Sequence, residues 1–67
     1  MVSGIVEDFD EQRGDGRLRD GEGHEYYFHC VSIANGTRSI PLGVRAHAQR
    51  AVGRLGHDEV VDIIVAA

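Results

Sequence analysis

Glycine sets the scale of what this chain can build. Nine of its 67 residues are glycine, and they cut the apolar sequence into runs too short for a long helix. Short runs rich in β-branched and aromatic residues, each closed by a glycine-containing turn, mark an all-β domain. Ile5-Val6-Glu7-Asp8-Phe9 reads as a first strand, ending at the acidic stretch Asp10-Glu11-Gln12. Arg13-Gly14-Asp15-Gly16 follows as a turn, because Gly and Asp tolerate the positive φ of tight turns. Arg17-Leu18-Arg19 makes a short second strand, with Leu18 inward and both arginines on the other face. The Asp20-Gly21 pair signals a hairpin. It leads into Glu25-Tyr26-Tyr27-Phe28-His29, the most aromatic stretch of the chain. Residues Cys30 to Ala34 suit one helical turn, closed at Asn35-Gly36.

The second half repeats this grammar. Arg38-Ser39-Ile40-Pro41-Leu42-Gly43 reads as extended loop, since Pro41 cannot donate to a central ladder. Val44-Arg45-Ala46-His47-Ala48-Gln49 alternates apolar and polar without a break, which predicts a half-buried strand. A helix over residues 44–55 is the competing reading, because Ala, Arg and Gln favour helices. The bracketing Gly43, Gly53 and Gly56 and the unbroken alternation favour the strand. Gly53-Arg54-Leu55-Gly56-His57 is a loop, and the β-branched run Val60-Val61-Asp62-Ile63-Ile64-Val65 is the last strand. Five short strands separated by turns suggest a small barrel, in which closure removes exposed edges.

Size and charge limit what such a barrel can do. A chain this short buries only about 60% of its unfolded surface, so the core is thin. Ala46 and Ala48 thin it further, leaving Phe9, Tyr26 and Phe28 to supply volume. The single cysteine, Cys30, permits no internal disulfide and fits a reducing cytoplasm, where it serves as a small half-buried hydrophobe. No apolar run approaches the roughly 18 residues of a membrane helix, and the Met1-Val2-Ser3-Gly4 start lacks a signal-peptide pattern. One unprocessed, soluble domain spanning residues 1–67 is expected. The net charge is −4, every cation is an arginine, and residues 1–30 alone carry −5. Such a field opposes a polyanion unless the arginines gather on one face.

The order of the residues adds a resemblance. Gly4-Ile5-Val6-Glu7-Asp8-Phe9-Asp10 followed by Arg13-Gly14-Asp15-Gly16-Arg17-Leu18 resembles the opening of bacterial cold-shock domains. In that family a glycine, a valine, a Trp-Phe pair and an Asn or Asp precede a first RNP motif, Lys-Gly-Phe-Gly-Phe-Ile. Tyr26-Tyr27-Phe28-His29-Cys30 falls where the family has its second RNP motif, Val-Phe-Val-His-Phe. Val31-Ser32-Ile33 is similar to the Ser-Ala-Ile turn, Arg38-Ser39-Ile40-Pro41-Leu42-Gly43 to Lys-Ser-Leu-x-x-Gly, and Val60-Val61-Asp62-Ile63 to Ala-Ala-Asn-Val. The resemblance spans nearly the whole chain. It implies a five-stranded antiparallel OB-fold barrel that binds single-stranded RNA or DNA, with bases stacked on aromatic side chains and phosphates tracked by cations. On the matching positions, Arg13, Arg17, Tyr27, His29 and Arg38 are the implied nucleic-acid-binding residues.

Several positions depart from that pattern. Asp8 stands in place of tryptophan, Asp15 and Arg17 replace the two phenylalanines of the first motif, and Cys30 replaces another aromatic. Weakened affinity is the consequence, although a guanidinium can still stack on a base and meet a phosphate. The plainer reading of Arg13, Arg17 and Arg19 is solvated charge paired with Asp8, Asp15 or Glu25. Arg38 and Arg54 have an equally plain reading as surface cations. An acidic, arginine-studded face also suits recognition of another protein, and a protein-interaction or regulatory domain is the alternative function. Four histidines and Cys30 show no metal-ligand spacing, and no catalytic constellation is legible. An enzyme, a cofactor and a small-molecule substrate are therefore not expected.

Overall fold

The computed structural model describes residues 1–34, 36, 39–53 and 58–66. Five strands, β1 (Val2–Asp10), β2 (Asp15–Asp20), β3 (Glu25–His29), β4 (Arg45–Val52) and β5 (Asp58–Val65), close into a barrel in the order β1-β2-β3-β5-β4. This is the strand order of an OB-fold-like barrel. All neighbours run antiparallel except β3 and β5, which meet in parallel at Tyr27 and Glu59. A second parallel bridge, Ile33 to Ile63, and the Ala34 amide donating to the Ile63 carbonyl at 2.8 Å extend that closure. A single 3-10 turn, Cys30–Ser32, stands where one helical turn was expected.

The core is built as the alternation requires. Val6, Leu18, Tyr26, Phe28, Ile33, Ile40, Ala46, Ala48, Val60 and Ile63 are buried, and no described polar or charged residue is buried with them. Tyr26 and Phe28 point inward, so Tyr27 and His29 point out. Phe9 packs on Phe28 with ring centroids 5.9 Å apart and planes at 16°, a stacked pair within the usual spacing. Arg45–Val52 is strand with Ala46 and Ala48 buried, which decides strand over helix for this segment. Cys30 is half-buried, with a free thiol. The loop segment Arg38–Gly43 is described from Ser39 onward, and Ile40 within it plugs the core. The predicted loop at residues 53–57 lies outside the described residues except for Gly53.

Two turns differ from the sequence reading. The β1–β2 turn occupies residues 11–14, and Asp15 and Gly16 are already strand. Asp10 is the reason: its carboxylate accepts the amides of Gln12 and Arg13 at 2.9 and 3.1 Å, while its carbonyl accepts Gly14 N–H. An aspartate at the head of a turn closes the chain on itself in this way. The β2–β3 loop is longer than a two-residue Asp-Gly turn. Asp20 accepts the amides of Glu22 and His24, both at 2.9 Å, and the positive φ of 87° falls at Gly23 rather than Gly21.

Two β-bulges break the strict alternation. On β1 the register to β2 shifts between Val6 and Asp8, inserting Glu7. Val6 and Phe9, three apart, therefore both face the interior, and Asp8 faces out. On β5 the register to β4 shifts opposite His47 and Gln49, and Asp62 takes a φ of 53°. Val60 and Ile63 are both buried as a result. Asp is among the few side chains that enter this left-handed region readily.

Candidate nucleic-acid interface

The outer surface of β1–β2–β3 is organised as rows that run across the strands. In the middle row, Asp8 of β1 faces Arg17 of β2, which faces Tyr27 of β3. In the next row, Asp10 faces Asp15, which faces His29. A third row carries Ile5, Arg19 and Glu25. The Glu7 bulge is what makes the middle row: an unbroken β1 would turn the side chain of Asp8 into the core. Tyr27 is 47% exposed, and its neighbour His29 is exposed as well.

Charge in these rows is mostly cancelled locally. Arg17 lies between two carboxylates, 3.6 Å from Asp8 and 3.3 Å from Glu25. Arg13, reaching over from the turn, bonds Asp15 at 2.9 Å and sits 3.6 Å from Asp10. Asp10 and Asp15 are direct cross-strand partners, a like-charge pairing that is unfavourable without a cation between them. Arg13 is that cation. Its side chain thus clamps the first hairpin before it is offered to any ligand. The Arg13 amide bonded to Asp10, then the Gln12 amide and the nearby guanidinium, hold the Asp10 carboxyl below its ordinary value. Arg19 reaches Glu7 at 3.4 Å.

Between these groups lies an open depression of about 240 Å³, lined by Asp8, Arg13, Asp15, Gly16, Arg17 and Tyr27. Gly16, which lines it between Asp15 and Arg17, has room for no side chain. A Cβ there would come 2.4 Å from the Asp8 carbonyl oxygen and 2.7 Å from the Phe28 ring. Of the five residues assigned to binding from sequence, four are described, and the structure gathers them: Arg17 and Tyr27 as cross-strand partners, His29 one row along, and Arg13 above both. Arg38 lies outside the described residues.

Two residues of this surface escaped the sequence reading. Asp10 had a local signal, an Asx residue at the start of a turn. Glu59 had none. It reaches Tyr27 through the parallel β3–β5 contact, and its carboxylate lies 3.9 Å from His29. Among the described residues no three His, Cys, Asp or Glu side chains are placed to share a metal ion. No described helix is long and apolar enough to cross a membrane. No protein-family model matches the chain, and no curated protein matches it.

Proposed function

We propose that this barrel is a module for single-stranded RNA or DNA that binds through its β1–β2–β3 face, more weakly than a fully aromatic platform would. The observation that carries this reading is the Arg17–Tyr27 pair: a half-exposed aromatic ring beside a planar guanidinium, in register on adjacent strands. An aromatic face stacks on any base for about 1–3 kcal/mol. A guanidinium plane stacks likewise, and also meets phosphate. His29 continues the platform along β3. The weakness follows from the carboxylates, because a phosphate that approaches Arg17 must compete with Asp8 and Glu25.

Titration of short single strands at low salt tests the reading. Binding tighter than about 100 μM is expected, with the steep salt dependence of phosphate contacts. Arg17→Ala should lower the slope of log K against log salt by about 0.7, the share of one phosphate contact on a single strand. Absence of binding by any strand, with the ring signals of Tyr27 and His29 unmoved, sinks it.

One observation favours a second reading, that of a protein-interaction domain. Four carboxylates on this face, Asp8, Asp10, Asp15 and Glu25, surround two guanidinium groups. A basic protein segment meets such a surface without repulsion. Partners that survive nuclease treatment in a pull-down would support that reading; partners lost with nuclease would support the first.

A further inference from the structure

The depression at the middle row has a chemistry of its own. Resting on the single-strand reading above, we infer that it takes one nucleobase and that Asp8 makes it prefer guanine over thymine or uracil. At about 240 Å³ the hollow is smaller than most small-molecule sites, which run to roughly 300–1,000 Å³. A single ring system is what it has room for. It is lined by the Arg17 guanidinium, about one-third exposed, which stands between the Tyr27 ring on one neighbouring strand and the Asp8 carboxylate on the other.

Asp8 is the acceptor with capacity to spare. Its nearest cation, Arg17, is 3.6 Å away, beyond the roughly 2.7–3.2 Å of a hydrogen bond. No described group donates a hydrogen bond to it, whereas Asp15 already accepts one from Arg13 Nε at 2.9 Å, with Nη2 of the same guanidinium in ion-pair contact with that oxygen. A carboxylate accepts only, so it rewards bases that present donors. Guanine presents N1–H and the N2 amino group side by side, matched to the two oxygens in the manner of a fork. Thymine and uracil present one N–H between two carbonyl oxygens, and those oxygens are repelled. Cytosine and adenine, with one amino group each, fall between.

The test compares heptamers in one background: all thymidine, a central guanosine, and a central inosine, which keeps N1–H and lacks the amino group. Affinities come from fluorescence anisotropy of the labelled strands with the full chain. The guanosine heptamer should bind roughly 3- to 10-fold more tightly than inosine, the value of one hydrogen bond, and more tightly still than thymidine. In Asp8→Ala the guanosine and inosine strands should bind alike. The inosine comparison needs no variant, so it stands even if Asp8→Ala folds poorly. Equal affinity of all three strands for the wild-type chain, or a guanosine preference that persists in Asp8→Ala, overturns the inference and leaves the single-strand reading intact. Binding of none of them overturns both.

Discussion

The two sides of this barrel are built on different terms. Across β1–β2–β3 every described arginine has a carboxylate partner, and the outward residues form charged rows around Tyr27. Across β4–β5 the outward residues include Ile64, 58% exposed, and Val52, fully exposed, while Arg45 has no ion pair among the described residues. Among the described residues, Arg50 and Asp58 form the one ion pair between β4 and β5, at 3.1 Å. The face itself sets four carboxylates against three guanidinium groups, and the rest of the negative charge of the first 30 residues, Glu7, Glu11, Asp20 and Glu22, sits at the bulge, in the turns and at the end of β2. The contrast teaches that the acidic residues of this chain do more than solubilise it. They hold arginines in ion pairs on the side that carries the half-exposed Tyr27 ring, whereas the charges of β4 and β5 are less often paired among the described residues.

The comparison breaks most violently from beneath. Phe28 supports the charged face by packing under Gly16 and against Phe9. Phe28→Ala should cost about 3–5 kcal/mol, as large-to-small changes at buried aromatics do. For a domain whose whole stability is on the order of 5–15 kcal/mol, chemical denaturation should show partial or complete unfolding. Gly16→Ala comes next, at about 1–3 kcal/mol, since the β1 backbone and the Phe28 ring must both give way. The same denaturation curves would measure it, and an unchanged midpoint would refute the close approach.

Smaller effects sharpen the comparison through electrostatics. Arg13→Ala removes the cation between Asp10 and Asp15, so the melting temperature should fall, and added salt or the further change Asp15→Asn should restore part of it. If salt does not help, Arg13 is not the clamp. Acid tests the loop beside this face. Burial raises the Asp20 carboxyl, but the amides of His24 and Glu22 outweigh it and leave the group below its ordinary 3.8. A depressed carboxyl contributes stability that is whole above the unfolded value and is lost as pH falls through the folded one. Melting temperature should therefore decline below about pH 3.8, with a shallower decline in Asp20→Asn. The smallest effect belongs to the other side. Arg45→Gln should stay within about 0.5 kcal/mol of wild type and leave single-strand affinity unchanged.

Much of this was legible from the residues in order. Alternation placed Leu18, Ala46 and Ala48 inward and required one of the pairs Tyr26/Phe28 and Tyr27/His29 to be core, the resemblance pointing to the first; turn chemistry separated five strands at bounds up to three residues short of those observed. The pairing of Arg17 with Asp8 and Glu25 follows from residue types once the register is known. What the sequence hid was register itself. Neither bulge is announced by periodicity, since Glu7 and Asp62 are ordinary polar residues within apolar runs. The parallel contact that brings Glu59 beside Tyr27 depends on two strands far apart in the chain, beyond the reach of any local pattern.

That contact has a consequence for the order of events in folding. The meander β1–β2–β3 is made of neighbours in sequence, and its loops close at low entropic cost. The barrel shuts only when β4 reaches back to β1 and β5 reaches back to β3, joining Val2 to Ala48 and Tyr27 to Glu59. Such distant pairings are slow steps. On a ribosome β1, β2 and β3 emerge first and wait, as an open sheet, for the strands that lock them. Until β5 arrives, Tyr27 stands on an unpaired edge.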